Sequence, residues 1–362
     1  MVYSGVAWRA ARKPLRPVEN MRSASPPVTM LKPLCGAEPE TYACLRSFCD
    51  QQYPQFQIVF GIADPADPAV AVVARLQSEF PALDLKLCID RRQHGSNRKV
   101  SNLINMVPLA AHGILVLADS DICVAPDYLT NVVGPLTDRS VGIVTCTYRG
   151  RPRGGFWSLL GSLFINEWFV PSVRVAAWGG SQSFAFGATI AIRREVLSSI
   201  GGFKAIKDQL ADDYRLGELA RRAGLRTVLS HVVVDTVVTE TTFKQLARHE
   251  LRWLRTIRAM NPLGYCFSAV TFGLPIAAMG CVLAGGSTAT LGMLAVTTAA
   301  RCLLHVGTRR LDGPTWHMLL LPLRDTLSLG LWACSFLTRR VQWGDSHFDV
   351  ARDGSARLIE SV

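Results

Sequence analysis

Apolar positions in the first part of the chain fall into short continuous runs separated by stretches of helical period. Residues 28–34, 57–62, 83–89 and 113–118 are runs of the length and content of strands buried on both faces. Between them, 39–51, 69–80 and 98–111 repeat their apolar residues at helical spacing. Leu45 and Phe48 share a face of the first, and Pro39 sits in its opening turn. This alternation with short connections predicts an α/β fold built on a doubly wound parallel sheet. No GxGxxG follows the first strand, which removes the dinucleotide fingerprint. Further on, 141–147 and 184–193 predict strands, and 225–238 predicts two. A helix to Ile200 meets a Gly201-Gly202 turn, and Asp212-Asp213-Tyr214 opens a helix that Gly224 ends. Residues 156–178, rich in Phe and Trp, read either as an amphipathic helix on a membrane face or as a core helix. Residues 243–260 predict a strongly basic helix.

The pattern changes after Pro262. Residues 264–284 and 286–300 are apolar and uncharged, with Gly285-Gly286 as a hairpin, and each approaches the ~20 residues of a membrane-spanning helix. A third run, 316–337, carries Arg324 and Asp325, which need partners in such a setting. The basic helix before the first run and Arg309-Arg310 after the second mark the cytoplasmic side, placing residues 1–260 there. Arg339-Arg340 conflict with a simple third crossing, so the third run is left open as re-entrant or interfacial. The expected organisation is a flexible or interfacial segment 1–27, an α/β domain 28–262, membrane-spanning or membrane-associated helices 263–340, and a tail 341–362. Residues 1–27 have no apolar core and read neither as a signal peptide nor as a span.

Composition narrows the partners. Hydrophobic residues make up 49%, high for a water-soluble enzyme. The formal net charge of +11 favours anionic partners. Its Arg and Lys are scattered rather than interleaved with aromatics, so nucleic acid is not expected. Ten cysteines without a CxxC pair read as free thiols in a reducing compartment.

Candidate chemistry gathers at strand ends. In Ala118-Asp119-Ser120-Asp121, the two carboxylates stand two residues apart, so they project together from the C-terminal end of a strand, where open α/β sheets bind ligands. They suit a divalent cation shared with a diphosphate, or they are an acidic strand end. Asp64 and Asp67 follow the second strand; they can accept from a nucleobase or ribose, or serve the turn. Lys99, near a helix N-terminus, can neutralise a phosphate or stand in a solvated turn. Asp212-Asp213 offer a general base with a raised pKa, or a helix start. On the basic helix, Arg252 can clamp a diphosphate and Trp253 can cover a sugar, or the helix holds anionic lipid. His249 and Trp253 share a face, and Trp253 stands where an HExxH motif would need its second His.

The order of these signals resembles the D, DxD, D, (Q/R)xxRW series of membrane-bound inverting glycosyltransferases of family 2. More narrowly it is similar to the ceramide glucosyltransferase group, and within it to bacterial hopanoid-biosynthesis-associated glycosyltransferases. The stretches are Leu31-Lys32-Pro33-Leu34, Asp67-Pro68-Ala69, Asn97 to Leu103, Ala118 to Asp121, Phe186-Gly187-Ala188-Thr189, Ala211 to Tyr214 and His249 to Trp253, over roughly residues 28–355. The resemblance implies a cytoplasmic GT-A, Rossmann-like catalytic domain anchored in the bacterial inner membrane by several C-terminal helices. It implies Asp64 or Asp67 on uridine, Asp119 and Asp121 on a Mg2+ or Mn2+ ion and the donor diphosphate, and Asp213 as the base with Asp212 beside it. Arg252 and Trp253 close the final motif. His249 replaces the usual Gln or Arg, and the family's N-terminal membrane helix has no counterpart in residues 1–27. The implied reaction moves N-acetylglucosamine from a UDP-sugar to a hopanoid polyol; ceramide with UDP-glucose is the alternative. A processive polysaccharide synthase would need more apolar runs than these three, and a nucleotide-binding scaffold is the non-enzymatic rival.

Overall fold

The computed structural model describes residues 2–13, 15, 25–308, 315–343, 346–351 and 354–361. It divides into two compact units. A sheet unit comprises Leu15–Arg149 and Ser181–Val237; a helical unit comprises Met1–Pro14, Gly150–Gly180 and Val238–Val362.

The sheet unit is built on strands β1 (Val28–Leu34), β2 (Phe56–Ile62), β3 (Asp84–Ile89), β4 (Ile114–Leu117), β5 (Ile122–Cys123), β6 (Val141–Pro152), β7 (Ile190–Arg193) and β8 (Arg226–Val238). They lie in the order β3-β2-β1-β4-β7-β6-β8-β5. β1, β2, β3 and β4 are parallel, with Leu31 in register with Val59 and Leu117. Their apolar runs are continuous because both faces are covered. Met30, Ile58, Phe60 and Phe48 pack on one face, and Leu31, Val59, Leu103 and Leu117 on the other.

Two expectations for the sheet are corrected. It is mixed rather than wholly parallel: β7 runs antiparallel to both β4 and β6. All four β7 residues are buried, so no alternation distinguishes its direction. An antiparallel β7 starts at the edge where β4 ends, with Ile190 paired to Leu117, and this brings Phe186–Thr189 to that edge. Residues 225–238 form one strand, not two.

In the helical unit, Phe243–Met260 is one helix as expected. Its start is fixed by a capping box in which Gln245 N donates to Thr242 Oγ1 and Thr242 N donates to Gln245 Oε1. Residues 156–178 form Phe156–Phe164, a π-helical segment Ile165–Phe169 and Val170–Trp178. Val2–Arg12 is helical where a flexible or interfacial segment was expected. Ala7 and Ala10 are buried, Tyr3 Oη bonds Ser172 Oγ, and Arg174 donates to the carbonyls of Ala11 and Lys13. Residues 16–24 of that segment lie outside the described residues, as do Arg309-Arg310. The tail forms an antiparallel sheet of β9 (Arg340–Trp343), β10 (Ser346–Val350) and β11 (Ala356–Ser361).

The expected multi-pass anchor is not borne out. Among the described residues, one helix, Thr288–Thr308, is long and apolar enough to cross a membrane. The first apolar run is broken: Pro262–Thr271 and Gly273–Leu283 meet at 65° and count as a span only if taken together. The third run contains a helix of 14 residues, Leu321–Cys334, whose Arg324 and Asp325 are buried on Glu250 and Arg301. Of the ten cysteines, Cys35, Cys266 and Cys334 are exposed.

Candidate active site

Four chain segments meet at the C-terminal edge of β4. Asp119 and Asp121 follow β4 directly. Asn97 caps the helix Arg98–Met106 by accepting from Val100 N at 2.9 Å, and its amide donates to Gln209 O at 2.8 Å. This fixes the first turn, from which Lys99 reaches Asp119 Oδ1 at 2.6 Å and Asp212 Oδ2 at 3.3 Å. Asp212 and Asp213 begin the helix Asp212–Arg222. Asp213 Oδ1 accepts from Tyr214 N at 2.7 Å and Oδ2 from Gly187 N at 2.8 Å.

Gly187 ties the cluster together. A Cβ on it would lie 2.8 Å from Asp119 Oδ2 and 3.2 Å from Lys99 Nζ. One glycine therefore donates to Asp213 and lies against Asp119, and only a residue without a side chain allows both.

Burial shapes the ionisation of these groups. Asp213 keeps a partly open side chain, yet the surrounding protein desolvates it and Asp212 repels its charge, pushing its pKa up to about 6; Lys99 opposes this. Burial also raises Asp212, with Lys99 pulling the other way. Asp121 is raised by burial first and by Asp119 second, while Thr236 Oγ1 donates to its Oδ2 at 2.6 Å. Lys99 is held above the usual lysine range because Asp119 and Asp212 outweigh its desolvation.

Lys32 was not among the candidates. It is fully buried in β1, donates to the Asp119 carbonyl at 2.5 Å, and lies 3.8 Å from the Phe48 ring centre. Burial lowers its pKa to about 8. A lone lysine inside an apolar strand was the available signal. Nothing in the sequence marked Thr236.

Asp64 and Asp67 follow β2, which runs parallel with β4 and ends at the same edge of the sheet. Asp64 is exposed at the end of β2, accepting from Ala66 N at 3.0 Å and Arg91 Nη2 at 2.8 Å. Asp67 has both oxygens engaged, Oδ1 by Ala69 N and Oδ2 by Gly36 N, each at 2.8 Å. In the helical unit, His249 and Trp253 share a face with ring centres 4.3 Å apart. His249 Nδ1 bonds Glu240 Oε1 at 2.5 Å, and Trp253 stacks on Phe164. Arg252 lies on the same helix.

The family described as Glycosyl transferase family 21 matches residues 1–356. The chain belongs to that family. It is 26% identical over 244 residues to ceramide glucosyltransferase 3 of Caenorhabditis elegans, covering 66% of this chain and 52% of the relative. It is 26% identical over 243 residues to an N-acetylglucosaminyltransferase of Rhizobium meliloti, 64% of this chain and 55% of that one. The chain thus spans about half the length of the curated relatives it matches. Among solved structures it is similar to a mannosyltransferase of Pyrobaculum calidifontis in complex with GDP-Man and Mn2+, at a TM-score of 0.56 and 20% identity, covering 93% of each chain. The fold of this chain is accordingly GT-A-like, with a mixed sheet.

Proposed function

We propose that this glycosyltransferase moves a sugar from a UDP-sugar to a lipid hydroxyl, inverting the anomeric carbon. The observation that carries the reading is Gly187, which holds Asp213 by a hydrogen bond while lying against Asp119. A base for the acceptor and a carboxylate for the donor side are thereby kept together at the β4 edge. Asp213 takes the proton of the attacking hydroxyl, with a pKa near 6 that leaves it ionised at neutral pH. Lys99 offers positive charge to the diphosphate. Asp64, exposed after β2, takes the uridine. Arg252 and Trp253 keep the roles their motif implies, diphosphate clamp and sugar cover, and His249 a substrate contact beside them.

Asp119 and Asp121 would hold a divalent cation, Mg2+ or Mn2+. The donor set fits: two carboxylates with hard oxygens, Asp119 with a side chain 37% exposed. No cluster of three or more His, Cys, Asp or Glu disposed to hold a metal is present among the described residues. An ion held by these two carboxylates would take its remaining ligands from donor phosphate and water. When bound, such an ion neutralises the charge that builds on departing UDP.

The helical unit is proposed to attach the enzyme to the cytoplasmic face of a bacterial inner membrane. Thr288–Thr308 and the exposed Phe267, Leu283, Leu303, Leu319 and Leu337 support this. Sequence resemblance favours N-acetylglucosamine and a hopanoid polyol, and the rhizobial N-acetylglucosaminyltransferase supports the sugar. The second reading, glucose to ceramide, is supported by the ceramide glucosyltransferases among the relatives. Membranes containing the enzyme, incubated with radiolabelled UDP-N-acetylglucosamine or UDP-glucose, are expected to label an extractable lipid that mass spectrometry identifies. Failure of both donors to label lipid would sink the proposal, and labelled ceramide would replace the first reading by the second.

A further inference from the structure

Asp119 is already occupied by a cation that belongs to the protein. Its Oδ1 carries the Lys99 ammonium at 2.6 Å, and its Oδ2 lies against Gly187, where a Cβ would approach to 2.8 Å. A divalent ion bonding the same carboxylate would sit within a few ångströms of the ammonium. Two such charges repel strongly in a partly desolvated site. The ammonium has a second anchor in Asp212 Oδ2 at 3.3 Å, so it can leave Asp119 without losing every partner. Once the divalent ion takes Asp119, the ammonium loses its shorter ion pair and keeps the longer one to Asp212, and a diphosphate would supply a replacement anion.

We propose that Lys99 is a resident counter-cation of the donor site. It neutralises Asp119 in the empty enzyme, and yields that carboxylate when a nucleoside-diphosphate sugar and its divalent ion arrive together, turning to the phosphate while it stays beside Asp212. The divalent ion alone therefore binds weakly, and the nucleotide creates its site. This rests on the reading of Asp119 and Asp121 as metal ligands. Lys99 is here a donor-binding residue whose removal exchanges one behaviour for another: metal binding becomes independent of nucleotide, while donor phosphate loses a partner.

The test is a Mn2+ titration of the purified full chain in detergent, following free Mn2+ by electron paramagnetic resonance. It is run with and without UDP and corrected for Mn2+ that UDP binds in solution. In the wild type, Mn2+ is expected to bind at least about tenfold more weakly without UDP than with it. Lys99→Met is expected to bind Mn2+ without UDP at least about tenfold more tightly than the wild type does, and Lys99→Arg, which keeps the charge, is expected to stay with the wild type. Circular dichroism and thermal melting check the fold, with Lys99→Gln as a second neutral variant if Lys99→Met does not fold. Equal Mn2+ affinity in the wild type with and without UDP overturns the proposal, with no variant needed. So does a neutral variant that binds Mn2+ alone no more tightly than the wild type. Wild-type enzyme that fails to bind Mn2+ even with UDP overturns the metal reading itself, and the counter-cation role with it. Tight binding with UDP but no change in the neutral variants removes only the role of Lys99.

Discussion

Each unit contains a group of buried charge, and the two groups are built differently. In the helical unit, Arg324 meets both oxygens of Glu250 at 2.8 Å and also bonds Ser328 Oγ and the Leu160 carbonyl. Arg301 joins Asp325 by two bonds and Glu167 by a third, and the other Glu167 oxygen bonds His305 Nδ1 at 2.6 Å. Every carboxylate there has a cationic or imidazole partner, mostly in forked geometry. In the sheet unit, Asp119, Asp212 and Asp213 gather around the Lys99 ammonium, while the cation acting on Asp121 is the Lys32 ammonium, which donates to the Asp119 carbonyl. The first group is closed and holds the helices together. The second carries more negative than positive charge and is partly open, a state that costs stability and suits it to receive charged ligands.

That contrast is broken most directly at Asp213. Asp213→Asn is expected to lower kcat by about 10²–10⁴-fold while UDP-sugar affinity holds. Retained turnover would remove the base from the proposal. In the helical group the effect should fall on stability. Arg324→Met leaves Glu250 buried without its partner and is expected to cost about 3–5 kcal/mol in chemical denaturation. A variant that melts like the wild type would show that the helical charges are not the closed set described above.

Gly187→Ala probes where the open group depends on packing. The added methyl would press on Asp119 and Lys99, so a loss of about 1–3 kcal/mol in stability is expected together with a loss of transfer. Activity unaffected by the methyl would detach Asp213 from the donor carboxylates. Next in size is the pH response. A base with a pKa of about 6 is protonated below that value, so kcat/KM should rise with pH through about 6 and level off above it. A flat profile between pH 5 and 7 would place the base elsewhere.

Apolar runs of strand length exposed β1, β2, β3 and β4, and with them the edge that carries Asp119. Helix Phe243–Met260 was legible from its own run of basic residues, and its start rests on a local cap of Thr242 and Gln245. Features set by distant partners were not. β7 is buried on both sides, so its direction had no periodic signature. Val2–Arg12 gains order from Ser172 and Arg174 far along the chain. The run 316–337 is broken by charges whose partners are Glu250 and Arg301, which no local pattern reveals. At the site, each carboxylate was visible as a type of residue. Their meeting through Lys99 and Gly187 was not, since it depends on β7 entering the sheet in reverse.

The smallest effects separate the two acids after β2. Asp67 has one oxygen on Ala69 N, at the start of the helix Ala69–Glu79, and the other on Gly36 N beyond β1. Removing a carboxylate that serves the first turn of a helix costs about 0.5–2 kcal/mol, so Asp67→Ala should lower stability by that order. Asp64 is exposed, and its pairing with Arg91 is a surface ion pair that solvent screens. Asp64→Ala should therefore leave melting unchanged and act on the donor, raising the KM for UDP-sugar several-fold while the pH profile set by Asp213 stays in place. If Asp64→Ala leaves that KM alone and Asp67→Ala raises it without loss of stability, the uridine contact belongs to Asp67, and the turn must release one of its two hydrogen bonds when the donor binds.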